Sequence, residues 1–188
     1  AKNYTIPAPW VVANVQASGD VWVGPGQPDA AGDGTTNLPC LNSWSNNFTT
    51  MDVHQDIEGL PNGIYTVSAR AITQGLGQQH AYATSSIGTS VSEDMTIVGW
   101  DSYEWETLTT EKVVVVDGKL RIGFASVSAG DVNGWYQVTD FQLMYYGAAT
   151  DADLEAAWNS SLQRAQEYAG ILLPGDSKDV KAAIEAAT

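Results

Sequence analysis

A chain of 188 residues is long enough for one domain with a small appendage, and it can bury a core without covalent staples. Eight Lys and Arg stand against 22 Asp and Glu, and the net charge of -14 disfavours nucleic acid and anionic membrane surfaces while leaving neutral partners open. Cys40 is the single cysteine, which excludes an intrachain disulfide and any cysteine-based metal or redox motif.

In chain order, residues 1–148 predict β structure. Weak strands are expected at 10–15 and 20–23. Val53, Gln55 and Ile57 then alternate with His54, Asp56 and Glu58 ahead of Leu60-Pro61-Asn62-Gly63. After that turn, Tyr65, Val67, Ala69 and Ala71 alternate with Thr66, Ser68 and Arg70. A period of two marks strands with one buried face, and Asn-Gly suits a tight turn, so the two runs are expected to pair as a hairpin. Weaker strands follow at 80–85 and 95–98. Val113-Val114-Val115-Val116, Asp117-Gly118 and Leu120 to Phe124 predict a second hairpin, because Asp-Gly accepts the positive φ of a type I′ turn. The run 136–146 closes the series with Phe141, Leu143 and Tyr145 on one face. Many short strands between Gly-rich turns point to a sandwich or barrel. No run approaches the ~20 apolar residues of a membrane span.

The pattern changes after Gly147. Leu154, Ala157, Trp158, Leu162, Ala165 and Tyr168 recur at three and four, an apolar helical stripe in which Trp158 is expected to be buried. Thr150 with Asp153 resembles a capping box, Gly170 suits the helix end, and Pro174 suits a break. A second helix is expected from Asp176 or Ser177 through Val180 and Ile184. Residues 149–188 are thus a helical tail that either folds back on residues 1–148 or leads toward a further domain.

Three segments together resemble a known family. They are Trp44-Ser45-Asn46-Asn47-Phe48 with Gly59-Leu60-Pro61-Asn62-Gly63-Ile64-Tyr65, then Asp117-Gly118-Lys119-Leu120-Arg121-Ile122-Gly123-Phe124, then Gly134-Trp135 with Asp140-Phe141-Gln142-Leu143-Met144-Tyr145-Tyr146-Gly147. Their order is similar to that of galactose-binding-like jelly-roll carbohydrate-binding modules from gut and rumen Bacteroidetes. The resemblance covers roughly residues 40–147. It implies an all-β fold, a two-sheet antiparallel β-sandwich (jelly roll) followed by a short α-helical tail, and attachment to a polysaccharide-degrading enzyme. It also implies one structural Ca2+ between the first and last strands, with Asp140 at the matching carboxylate position.

Seven Trp and eight Tyr in a chain with 16% charged residues suit sugar recognition. A pyranose has an apolar C–H face that stacks on an aromatic ring, while amides and carboxylates match its hydroxyls. Trp100 and Tyr103 sit in a polar loop and are expected to be exposed. Trp44 and Trp135 lie in the resembling segments, and Trp22 precedes a Gly-Pro-rich loop. Asn46, Asn133 and Gln79 are the candidate polar partners beside them. Core packing or turn chemistry is the competing reading for each. Trp10 is expected to anchor a sheet, Trp105 to pack, and Tyr145 and Tyr146 to be structural.

Catalysis has thinner support. Glu104 and Glu106 are the best carboxylate pair for glycoside chemistry, but two residues apart on one strand they would lie side by side rather than across a cleft. His54 and His80 are lone and expected at the surface, and Cys40 lacks an evident base. The sequence therefore points to a non-catalytic module that binds a neutral polysaccharide or oligosaccharide and targets an attached glycan-degrading enzyme to it. It is expected to be monomeric within a larger chain and extracellular or on a bacterial cell surface. The alternatives are a sugar-free structural spacer and a small jelly-roll hydrolase or lyase using Glu104 and Glu106.

Overall fold

The computed structural model describes residues 6–13, 20–26, 39–74, 78–96 and 104–171, with backbone alone at 20–22, 44–51, 127–133 and 168–171. These residues form β1 (Val11–Ala13), β2 (Asp20–Pro25), β3 (Pro39–Glu58), β4 (Gly63–Gln74), β5 (Gln78–Ser85), β6 (Gly88–Val91), β7 (Glu106–Thr109), β8 (Val113–Val115), β9 (Lys119–Gly147) and α1 (Asp151–Ile171). Every described strand pair is antiparallel.

Two long strands build both layers. β3 and β9 form one ladder from Leu41 opposite Val138 to Glu58 opposite Lys119, with register shifts between Ser45 and Thr50. Past those shifts, β9 from Lys119 to Val127 lies between the later half of β3 and β5, and β1 and β6 extend this first sheet. In the second sheet, β9 from Gly134 onward lies between the early half of β3 and β4, with β2 beyond β3 and β7 and β8 beyond β4. The result is a sandwich of two antiparallel sheets followed by a helix.

Alternation places the core between the sheets. Val53, Ala81, Ala83, Ile122 and Phe124 point inward from the first sheet, and Leu41, Tyr65, Val67, Ala69, Ala71, Tyr136 and Val138 from the second. Phe124 and Tyr136 meet with ring centroids 4.9 Å apart, and Trp10 closes a rim on Phe141 at 4.7 Å. Each such large side chain taken out of water stabilises the fold by about 1.5–3 kcal/mol. Met95 was expected on a strand. It instead sits in this core in an irregular segment, with its N–H donating to Gln79 O at 2.8 Å, and Ile97 and Val98 lie outside the described residues.

Neither expected hairpin forms. The later half of β3 and β4 lie in opposite sheets, and so do β8 and the first half of β9, so both turns are arches over one end of the sandwich. Asn62 locks the two arches together. Its Nδ2 donates to Val116 O at 2.7 Å, and its Oδ1 accepts from Gly118 N at 3.0 Å. Leu60 N adds a bond to Gly118 O at 3.0 Å. Asn-Gly and Asp-Gly signalled the reversals correctly, but a turn sequence does not specify whether the chain returns to the same sheet or crosses to the facing one.

Polar groups also cross the interior. Gln79 Nε2 donates to Thr73 Oγ1 at 2.6 Å, and Thr73 Oγ1 donates to Trp135 O at 3.0 Å, a bridge from the first sheet to the second. At the same end, Ser43 Oγ, Ser126 Oγ and Gln79 Oε1 are buried without hydrogen-bond partners. A buried polar atom left unpaired costs about 1–3 kcal/mol. Ser126→Ala is therefore expected to leave stability unchanged or raise it by up to about 1 kcal/mol, read as the urea midpoint. A loss above 1 kcal/mol would show that the hydroxyl has a partner.

The helix is capped as the sequence suggested. Thr150 N donates to Asp153 Oδ2 at 2.8 Å, and Asp153 N donates to Thr150 Oγ1 at 3.2 Å. The Thr150 hydroxyl also donates to Asp153 Oδ2, and this bond first, then that from Thr150 N, holds the Asp153 carboxyl below its usual pKa. The expected burial of Trp158 is overturned, since the side chain is 55% exposed. The stripe residues Leu154, Ala157, Leu162 and Ala165 are half-buried, and beside them Ser161 Oγ donates to Ile87 O and a Cβ on Gly88 would meet Arg164 and Ser161 at 3.1 Å. The residues of the expected second helix lie outside those described.

Candidate functional site

The outward face of the second sheet gathers the aromatic and amide residues. In register, Gln74 of β4 pairs with Trp135 of β9, Trp135 with Trp44 of β3, and Trp44 with Asp20 of β2. The adjacent outward row runs Ile72, Gln137, Asn42 and Trp22. Arg70 and Thr139 pair in the row beyond. Four antiparallel strands thus bring three tryptophan positions and three amides into two neighbouring rows.

Described side chains here are locked to one another. Trp135 Nε1 donates to Gln74 Oε1 at 3.2 Å, Gln137 Nε2 donates to Asn42 Oδ1 at 2.5 Å, and Asn42 Nδ2 donates to Cys40 O at 2.8 Å. Thr139 Oγ1 donates to Pro39 O at 2.7 Å. Asn42, Gln74 and Gln137 are buried, while Trp135 is half-buried. Trp105, just ahead of β7, folds over the same face and packs with Cys40 and Ile72, and Trp135 lies against this cluster. Burial pushes the Cys40 thiol up to about 11, against a smaller opposite effect of a Thr139 hydrogen bond, so it stays protonated at neutral pH and is no nucleophile.

The other candidates fall elsewhere. Gln79 is corrected from a loop ligand to a fully buried residue of β5 that bridges the sheets. Its sequence neighbourhood is Gly-rich, but its position two before Ala81 puts it on the inward face. Asn46 and Asn133 lie, by backbone, where the β3–β9 ladder shifts register, just past the row of Trp44 and Trp135. Trp100 and Tyr103 lie outside the described residues, and Trp22 and Trp44 are described by their strand positions. Tyr145 packs on Tyr65 at 5.0 Å, and Tyr146 carries the Lys112 ammonium 5.4 Å from its ring centroid. Asn42, Gln74 and Gln137 were missed, although Gln137 lies two residues from Trp135 on one strand and alternation alone puts the pair on one face.

His54 is corrected from a surface residue to a buried one, with Nδ1 3.2 Å from Asp52 Oδ2. Tyr82 donates to Asp52 Oδ1 at 2.6 Å, and its ring lies over Gly123, where a Cβ would come within 2.6 Å. His80 pairs with Asp94 at 2.9 Å. Glu104 is exposed, and both Glu106 oxygens accept from Thr96 N at 3.0 and 3.2 Å, fixing that segment to β7. Asp140 is exposed at a β-bulge with φ of 51°, and its Oδ2 accepts from Gln142 Nε2 at 3.0 Å. Calcium takes six to eight oxygens. Among the described residues no group of three or more His, Cys, Asp and Glu is placed to hold a metal ion, and the neighbour bonded to the Asp140 carboxylate is a donor.

No protein-family model matches the chain, and no curated protein matches it in sequence. Solved structures share its fold. TmCBM61, in complex with β-1,4-galactotriose, aligns with a TM-score of 0.55 at 22% identity over 73% of this chain and 89% of that one. The enzymatically active domain of tailspike protein 4 from bacteriophage CBA120 aligns with a TM-score of 0.50 at 11% identity over 73% of this chain and only 19% of that one. A structure from work on promiscuous carbohydrate-binding modules of the β-sandwich superfamily aligns at 0.49 and 11% identity, over 72% of this chain and 56% of that one. The fold is one that carbohydrate-binding modules use.

Proposed function

We propose that the chain binds a neutral glycan along the outward face of its second sheet, without catalysis, and holds an attached polysaccharide-degrading enzyme near its substrate. The observation that carries this reading is the half-buried Trp135 ring set beside the locked amides of Gln74, Gln137 and Asn42 on rigid strands. An indole takes the C–H face of a pyranose, and the buried amides fix that indole, with Gln74 accepting from its N–H. Trp22 and Trp44 occupy positions in the same rows and extend the candidate surface. A net charge of -14 favours neutral over acidic chains on this face. An aromatic platform contributes on the order of 1 kcal/mol beyond area burial, so two or three give micromolar to millimolar affinity. Weak binding suffices when the module and a catalytic domain share one chain, because tethering raises the local substrate concentration. On this reading the protein works outside a bacterial cell. The likeness of fold to a structure holding β-1,4-galactotriose makes galactan a natural member of the test panel.

Native gels containing soluble glucan, xylan, mannan or galactan are expected to retard the protein. Trp135→Ala should weaken retardation at least tenfold, whereas Trp158→Ala, which removes an exposed helical indole, should leave it unchanged. Absence of retardation across the panel would sink the reading and leave a structural spacer. Release of reducing ends that disappears in Glu104→Gln would make the chain an enzyme instead.

A further inference from the structure

A cleft of about 260 Å³ lies along the seam between α1 and the sandwich, far in sequence from the residues of the sheet face. Val113, Val114, Ala156 and Ala157 supply apolar walls, and Lys112 and Arg164 supply charge. The chain has only eight Lys and Arg, and two of them line this one cleft. Elsewhere, Lys119 lies 3.5 Å from Glu58 and Arg121 2.7 Å from Asp56. Lys112 and Arg164 form no ion pair among the described residues. Lys112 sits over the Tyr146 ring, and Arg164 donates to Ser160 Oγ at 3.0 Å and Ser161 Oγ at 3.2 Å. A guanidinium has five N–H donors, so three remain beyond those two bonds.

Beside the cleft α1 is held by the Ser161 bond to Ile87 O, the close approach at Gly88 and half-buried Leu154 and Ala157, while Trp158 faces water. A space walled by apolar and cationic side chains is a ready seat for a small amphipathic ligand. Asp153 also lines the cleft, with its carboxylate hydrogen-bonded to the Thr150 cap and near enough to feel the Lys112 charge. Two cations and one carboxylate leave a net charge of about +1, which matches a singly charged oxyanion better than a dianion.

We propose that this cleft binds a small carboxylate-bearing sugar, a uronate, with its carboxylate between Lys112 and Arg164 and its C–H face on the apolar wall. The site is distinct from the sheet face. A neutral chain suits that face, and a single acidic residue suits this cleft. The proposal stands whether or not the face binds glycan.

The test is titration of the full chain with D-glucuronate, using D-glucose and acetate as controls, followed by amide chemical shifts at low salt. Glucuronate is expected to saturate in the millimolar range and to shift the amides of residues 87–90, 112–114 and 156–164. Arg164→Gln and Lys112→Gln should each weaken it at least fivefold with the circular dichroism spectrum unchanged. Trp135→Ala should leave it unaltered, and raising the salt from 20 to 200 mM should weaken it several-fold, since exposed charges are screened. Equal shifts with glucose or acetate, shifts mapping to another surface, or no effect of the two substitutions would overturn the proposal.

Discussion

Gly63→Ala is expected to abolish stable folding, with a loss above ~3 kcal/mol, because the clash it creates is with backbone. A Cβ at this position would lie 2.2 Å from Gly147 O and 2.5 Å from Tyr145 Cε2. Gly63 has φ of 153°, a conformation that side chains avoid, and its neighbour Gly147 has φ of 110°. Neither neighbour can retreat cheaply. Gly147 is fixed opposite Ile64 at the end of the β4–β9 ladder. Tyr145 packs at a tilt on Tyr65, centroids 5.0 Å apart, and donates to Asn62 O at 3.3 Å. Tyr65 in turn donates to Pro61 O at 2.6 Å, so the first arch, the closing strand and a core aromatic would all be displaced together. Gly59→Ala is the control. Its φ is 76° but nothing lies within 4 Å of the added carbon, so its cost should stay near 1 kcal/mol. Urea midpoints separate the two. Equal losses would mean that backbone conformation, rather than the clash at Gly147, sets the cost.

That arch also shows how far the sequence could be read. The alternation of Tyr65, Val67, Ala69 and Ala71 located β4 and its buried face, because a period of two is a local property. The partner of β4 is not local. β4 pairs with β9, more than sixty residues on, and that pairing depends on how two sheets close over a shared core. The same limit hid the site. Trp135 stood out as a residue type, yet Gln74 and Asn42 join it only through ladders whose register no short window contains. Gln79 shows the converse error, since a polar residue beside glycines looks like a loop until alternation from Ala81 is followed back into the interior. In α1 the apolar stripe was legible, and Leu154, Ala157, Leu162 and Ala165 are half-buried as it suggests, but Trp158 is not. Periodicity shows which residues share a face, while how far the helix rolls depends on contacts such as Ser161 on Ile87 O and the close approach at Gly88.

Trp105→Ala is expected to destabilise the chain by about 3 kcal/mol, at the low end for a buried indole because Trp105 covers an outward sheet face rather than the central core. Two further readouts follow from what it covers. Cys40 is fully buried in the same cluster, and burial is the main reason its thiol is held up at about 11 against an ordinary value of 9.0. At pH 8 only on the order of one thiol in a thousand is then ionised, and native protein should react slowly with Ellman's reagent. With the indole gone, water reaches the sulfur, its pKa falls toward the ordinary value, and the rate should rise at least tenfold. The sign of the pH effect is fixed by the same shift. A thiol held protonated in the folded state stabilises it below pH 9 and gives up that stability as pH rises toward 11, a slope the variant should lose. Glycan retardation should weaken as well, because Trp135 packs against this cluster and would lose one side of its support. A variant with unchanged thiol reactivity would show that something other than Trp105 shields Cys40.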